Sequence, residues 1–302
     1  MKSILLIEGS ADPRPLAQAL PGVRVEVLDR LPRTSHPAVA AVMRSGTRLA
    51  VGHLDHLPAL RHVVRPGSGT DNIDVSALAA RGITVHRNPV ANAAAVAEWT
   101  LLAALSVTRR AALGHNGLIV GRHLKTACLG RHLAEQRVAI WGAGPVGLAI
   151  KQVLGQAVQD LAYAAWPSNP PHLPQQPAEL LIDWADLHIV ALPLRETTRS
   201  AVGPAWLARA KRRSPALVCA GRVETLDLPA CLDALDAGTL SGLAVDAIDP
   251  EHIASLTRPS EPRNLLLTPH IGAQRADVRR ALDHWTAETL RAVLMPSREE
   301  VR

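Results

Sequence analysis

Residues 142–147 read Gly-Ala-Gly-Pro-Val-Gly, and their setting constrains the fold more than any other feature of the chain. The apolar run RVAIW precedes this turn and the helix-prone run LAIKQVL follows it. A strand–turn–helix unit with glycines spaced G-x-G-x-x-G has a specific use. The first glycine permits the tight turn, the second lets backbone approach a pyrophosphate, and the third lets helix and strand pack closely. The helix N-terminus adds free N–H groups and partial positive charge for phosphates. Pro145 is tolerated there because its missing N–H had no intrahelical partner. Gly142, Gly144, Pro145, Val146 and Gly147 are therefore the expected dinucleotide contacts. An acid about 20 residues further on usually takes the ribose hydroxyls. Here the second strand ends Tyr163-Ala164-Ala165-Trp166-Pro167-Ser168-Asn169, with neither an acid nor an arginine. NAD and NADP both stay open, with a slight preference for NAD.

The alternation of short β-branched runs with longer amphipathic stretches extends from end to end, the βα pattern of parallel sheets covered by helices. Expected strands are 3–8, 24–29, 48–53, 62–65 and 83–87 in the first third, then 137–141, 160–164, 187–192, 216–220, 242–246 and 265–267. A long helix over 91–112, a loop-like segment over 114–130 and a Pro-rich loop over 167–177 separate or interrupt them, and one last helix spans 276–294. With 302 residues and two sheets' worth of strands, two α/β domains with a cleft between them are expected.

Composition excludes several classes. At 47% hydrophobic and 20% charged, the chain has material for full cores. No apolar run approaches the ~20 residues that span a bilayer, and the N-terminus MKSILLIEGS turns polar within eight residues without a cleavage pattern. Three cysteines, Cys128, Cys219 and Cys231, show no metal spacing and fit a reducing cytoplasm. The net charge of +6 is spread out, and with no Phe and one Tyr there are no platforms for stacking bases, so neither nucleic acid nor membrane is an expected partner.

From about Leu60 to Ala273 the chain resembles the D-isomer-specific 2-hydroxyacid dehydrogenases, nearest their 3-phosphoglycerate dehydrogenase-like branch. Gly67-Ser68-Gly69-Thr70-Asp71-Asn72-Ile73-Asp74 looks like that family's substrate loop. Asn88-Pro89-Val90-Ala91-Asn92 with Val96-Ala97-Glu98 resembles its hinge, and Ala185-Asp186 with Leu192-Pro193-Leu194 and Thr198 resembles the segment beside the nicotinamide ribose. Arg222, Glu251 (in VDAIDPEH) and His270 (in TPHIGA) fall where the family keeps its catalytic Arg, Glu and His.

The resemblance implies a Rossmann cofactor domain at 96–275 and a flavodoxin-like substrate domain built from 1–95 and 276–302. It implies an NAD(P)-dependent oxidoreductase interconverting a D-2-hydroxy acid and a 2-oxo acid. Asn88, Leu192, Pro193, Ala220, Asp246 and Gly272 join the cofactor set, and residues near 92–130 form the arm of a twofold homodimer. No metal is expected.

The chemistry suits the residue types. Reducing a 2-oxo acid needs a hydride and a proton on the developing alkoxide, and an imidazole titrates near neutrality, so His270 is the expected general acid/base. Glu251 would fix its tautomer and stabilise the imidazolium, and Arg222 would hold the carboxylate with fixed donors. Backbone N–H groups of Gly67, Ser68 and Gly69 would meet the same carboxylate.

Arg65 resembles an arginine that faces the substrate phosphate in the 3-phosphoglycerate dehydrogenase branch, which points to a second phosphate, phosphonate or carboxylate on the substrate. Two alternatives stand beside this reading: a glyoxylate/hydroxypyruvate-type reductase, and a non-enzymatic cofactor-sensing protein. Cys219, Val223 and Val90 depart from the family's Asn, Gly and Gly, so an unusual substrate scope is expected. No amino-acid feedback is expected, because no regulatory domain follows residue 302.

Overall fold

A computed structural model describes residues 2–166, 168–253, 256 and 261–295, apart from the side chain of Glu251. The chain divides into two compact units, Met1–Asn92 with Arg275–Arg302, and Ala93–Gln274.

The first unit holds a five-stranded parallel sheet. Its elements are β1 (Lys2–Ile7), α1 (Pro13–Ala19), β2 (Val23–Leu28), β3 (Ala40–Val42), β4 (His62–Arg65), α2 (Val75–Ala80) and β5 (Thr84–Arg87), in spatial order β2-β1-β3-β4-β5. This is the flavodoxin-like order, whose direction of winding reverses between β1 and β3. The closing helix, Ala276–Leu294, packs Ala287, Leu290 and Leu294 onto the face that carries Ile4, Leu6 and Val64.

The expected strand over 48–53 is not formed. Leu49 makes only an isolated bridge to Ile73, and Val51–His56 is a 3-10 helix. The backbone N–H of Ala50 donates to Nδ1 of His53, a local bond that turns the chain where extension would leave that donor to a ladder. The third strand is instead Ala40–Val42, every residue of it buried at the sheet centre. Alanines carry almost no strand signal, so burial and pairing on both sides decide this element.

The second unit opens with α3 (Ala93–Thr108) and α4 (Ala111–Ile119). Then follow β6 (Arg137–Trp141), α5 (Pro145–Leu154), β7 (Asp160–Ala164), β8 (Gln175–Gln176), α6 (Ala178–Trp184), β9 (Leu187–Val190), α7 (Pro204–Ala210), β10 (Ala216–Cys219), α8 (Leu228–Asp236), β11 (Gly242–Val245), α9 (Pro250–Ile253) and β12 (Leu265–Leu267). Its seven strands are parallel, in the order β12-β11-β10-β9-β6-β7-β8.

The single long helix expected over 91–112 is two helices, and the loop expected over 114–130 begins as helix. Arg110 adopts a left-handed φ of +54°, and the carbonyl of Thr108 accepts from Arg131 N at 2.9 Å. A returning segment thus takes the bond that a continuing helix would use. Gly130 lies so close that a Cβ there would meet Arg109 Cα at 2.6 Å. The loop expected over 167–177 includes the short edge strand β8, paired to Tyr163 and Ala164.

Burial also sorts the chain's 13 histidines. His188 is fully buried, accepts from the Trp141 indole N–H at 3.1 Å and stacks edge-on to Trp206. Burial pushes its pKa down to about 3, so it is a neutral core residue. Among the described residues no helix is long and apolar enough to cross a membrane.

Candidate active site

The glycine turn of the second unit is built by close approach. Gly142 has φ +115°, and a Cβ there would meet the carbonyl of Ala191 at 2.6 Å, so the ends of β6 and β9 touch through this residue. A Cβ on Gly147 would fall 1.9 Å from the Gly142 carbonyl, which seats the first turn of α5 directly on the turn. The Tyr163 hydroxyl, buried on β7, donates to the Gly147 carbonyl at 3.0 Å and fastens that turn from below. Burial pushes this phenol up to about 12, so it stays a donor.

Gly144 caps α5 and is followed by Pro145. A Cβ at Gly144 would meet nothing within 4 Å, so the second glycine borders open space. That is the cradle a pyrophosphate needs: closed behind, open in front, with the amides of a ten-residue helix facing it. At the end of β7, among the described residues, the backbone carries Ala164, Ala165, Trp166, Ser168 and Asn169, with no acid for a ribose. Asn169 Nδ2 closes this turn on the Ala164 carbonyl at 2.9 Å.

The family-like catalytic residues follow the C-terminal ends of the neighbouring strands β10, β11 and β12. Arg222 stands three residues beyond β10, and its carbonyl accepts from Thr225 Oγ1 at 2.6 Å and from Cys219 Sγ at 3.5 Å. Cys219 thus supports the turn that presents Arg222. Burial pushes its thiol up to about 11, so it is an inert packing group.

Asp246, first after β11, is buried, and its carboxylate is filled by the loop after β12. Oδ1 accepts from Thr268 Oγ1 at 2.6 Å and from Ile271 N at 2.8 Å, and Oδ2 accepts from Gly272 N at 2.7 Å. The Asp246 carbonyl also accepts from His270 N at 2.6 Å. His270, with φ +57°, is the residue these bonds enclose. Gly272 is tight for the same reason, since a Cβ there would sit 2.7 Å from Asp246 Oδ2.

The expected partner of His270, Glu251, lies on α9, and its side chain is outside the described residues. A second carboxylate on the same segment, Asp249, stands 4.0 Å from His270 Nδ1. The spacing D-P-E carries no signal that separates these two acids.

In the first unit, Arg65 ends β4 and is only 6% exposed. Its Nη1 donates to the Pro66 carbonyl at 3.0 Å and lies 2.5 Å from where a Cβ on Gly67 would be. The guanidinium therefore sits against the 67–69 loop. Two supports went unrecognised in the sequence. Arg87, the strand partner of Arg65 on β5, donates to the Ser68 carbonyl at 3.1 Å. Asn72 Nδ2 donates to the carbonyls of Arg44 and Thr47. Asn88 accepts from the N–H groups of Val90 and Ala91 at 3.2 and 3.0 Å, shaping the turn out of β5.

Comparison with known proteins agrees with this geometry. Residues 101–272 match the model of the D-isomer specific 2-hydroxyacid dehydrogenase NAD binding domain. A hydroxypyruvate reductase of Thermotoga maritima is 29% identical over 245 residues, covering 79% of either chain. A D-3-phosphoglycerate dehydrogenase of Synechocystis is 26% identical over 291 residues, 91% of this chain but 50% of that relative, so the chain spans half of its length. The crystal structure of an NADPH-dependent glyoxylate/hydroxypyruvate reductase from Sinorhizobium meliloti, in complex with NADP and malonate, superposes with a TM-score of 0.81 at 25% identity. The superposition covers 98% of this chain and 95% of that one. Because the family model alone takes in more than half of the chain, from within α3 to the loop beyond His270, the protein belongs to the D-isomer specific 2-hydroxyacid dehydrogenase family.

Proposed function

We propose that the protein is an NAD(P)-dependent oxidoreductase that interconverts a D-2-hydroxy acid and a 2-oxo acid. The observation that carries this reading is the Asp246 clamp, which holds the His270 loop beside the strand end leading to Arg222. The residues at 142–147 fit the cofactor's pyrophosphate, with Gly144 beside it and Gly147 seating the helix. When bound, the cofactor supplies the hydride to the substrate carbonyl carbon or takes it back. The chain's own residues supply the rest. Arg222 grips the substrate carboxylate and polarises the carbonyl with fixed donors. His270 gives its proton to the oxygen as negative charge develops there, and reclaims it in the reverse direction. Glu251 stabilises the imidazolium, and Asp249, 4.0 Å from His270 Nδ1, is a further acid for the same role.

The first unit supplies the substrate loop, with Gly67, Ser68 and Gly69 offering backbone N–H groups. Arg65 beside them supports a substrate with a second anionic group. Turnover of NADH and NADPH, followed by their absorbance, tests both statements with glyoxylate, hydroxypyruvate, phosphohydroxypyruvate and 2-oxoglutarate. The expected result is reduction with preference for the doubly anionic acids, and a preference about tenfold smaller in Arg65→Gln, the worth of one charge-assisted hydrogen bond. Equal kcat/KM for glyoxylate and phosphohydroxypyruvate in both proteins rejects the second-anion statement and leaves a general reductase. Intact cofactor binding without turnover of any acid rejects the enzyme reading in favour of a cofactor sensor.

The protein is also proposed to act as a homodimer. At the end of α4 Leu118, Ile119 and Val120 are exposed, Ile119 by 70%, and Leu129 beyond them by 85%. Apolar groups of this size left in water mark an association surface. Ile119→Asp combined with Leu129→Asp is expected to halve the mass found by light scattering. A wild-type monomer overturns the assignment.

A further inference from the structure

We propose that the first unit carries a binding site for a small polyanion, a molecule with two or more phosphate or carboxylate groups, separate from the 2-oxo acid site. It is a cavity of about 590 Å³ into which the C-terminal ends of three parallel strands open. Glu8 follows β1, Arg30 and Arg33 follow β2, and Gly46, Thr47 and Arg48 follow β3. The 3-10 helix that replaced the expected strand closes the far side with His53 and His56. The cavity thus lies where the sheet order β2-β1-β3 reverses its winding, the place where open parallel sheets take their ligands.

Its charge is one-sided. Arg30, Arg33 and Arg48 are permanent cations, and among the described residues none of them has an ion-pair partner. Of the acids flanking the region, Glu26 is engaged with Arg24 and His36 and Asp55 with Arg81, and Asp29 does not line the cavity. The one carboxylate in the lining, Glu8, accepts from Thr47 Oγ1 at 2.5 Å and lies against Gly46, where a Cβ would meet it at 2.9 Å. Three guanidinium groups around a concave surface focus positive potential, and planar forks match phosphate and carboxylate oxygens in pairs.

Neither Arg65, the 67–69 loop nor Arg87 lines this cavity, which separates it from the substrate loop. The two are nonetheless tied. Asn72, at the end of the substrate loop, donates to the Thr47 carbonyl at 2.6 Å, and its own carbonyl accepts from Leu49 N at 2.8 Å. An anion drawn against Thr47 and Arg48 therefore presses on a wall that the substrate loop shares.

Calorimetric titration of the whole protein with pyrophosphate, and separately with citrate, tests the site without relying on turnover. One saturable equivalent is expected for at least one probe, with Kd raised about tenfold by Arg30→Gln or by Arg48→Gln and binding lost in the double variant. Arg14→Gln, which removes the same charge from α1, is expected to leave Kd within about twofold, and thermal melts check that every variant is folded. Repeating the titration in saturating glyoxylate separates the sources of the anion chemistry. A Kd changed less than about threefold supports a separate site, whereas abolition of binding shows that the probe occupies the acid's own site and overturns the proposal. Absence of binding to the wild type, or undiminished binding to the double variant, overturns it equally.

Discussion

His270→Asn is expected to lower kcat for 2-oxo acid reduction by a factor of about 10²–10⁴, the usual worth of a positioned general acid, while the cofactor Kd stays within about twofold. Asparagine is the informative replacement for a backbone reason. His270 has φ +57°, a region that costs a non-glycine residue roughly 1–2 kcal/mol and that Asn and His enter more readily than others. An alanine or glutamine there would mix a backbone penalty with the lost proton donor. Asparagine leaves the loop in place and removes only the group that titrates. In the wild type kcat/KM for reduction should fall as rising pH removes the proton that the general acid donates, and in the variant that limb should flatten. Retention of wild-type kcat with an unchanged pH profile would reject His270 as the acid/base.

What the sequence discloses of this site depends on how local each determinant is. Gly142 and Gly147 are legible because close approach admits no other residue: the carbonyls 2.6 and 1.9 Å from their absent Cβ atoms leave no room. Strands β4, β6, β9 and β10 are legible because each is a β-branched or aliphatic run, buried on both faces. Strand β3 is not, because Ala40-Ala41 is as consistent with helix as with strand until neighbours on both sides pair with it. The break at Arg110 is equally silent, since the bond that ends α3 comes from Arg131, more than 20 residues on. The proposed catalytic trio is visible only as motifs in register. That Arg65 is buried beside its own loop, that Arg87 props the same loop, and that Asp249 stands 4.0 Å from His270 Nδ1 are products of packing that the sequence does not display.

Asp246→Asn is expected to destabilise the second unit by about 2–4 kcal/mol and to reduce kcat by at least about tenfold, although the side chain keeps its shape. The carboxylate offers acceptors only, and three donors converge on it: Thr268 Oγ1 and Ile271 N at Oδ1, Gly272 N at Oδ2. An amide turns one of those oxygens into an NH2 group facing a donor. One orientation sets it against Gly272 N, and the other sets it against both Ile271 N and Thr268 Oγ1. Each loses at least one charge-assisted bond and leaves a buried N–H unsatisfied, a cost of about 1–3 kcal/mol before relaxation. The enclosed segment also stores the left-handed strain of His270, so relaxation moves the imidazole first. The same residue stands among the expected cofactor contacts, and two readouts separate the roles. A clamp acting through His270 lowers kcat and the melting temperature together and leaves the cofactor Kd near the wild-type value. A residue acting through the cofactor raises that Kd and leaves the melting temperature of the unliganded protein unchanged. Double substitution with His270→Asn supplies the decisive comparison: if Asp246 works by placing the imidazole, kcat falls no further once the imidazole is gone, whereas multiplicative losses would show two independent contributions.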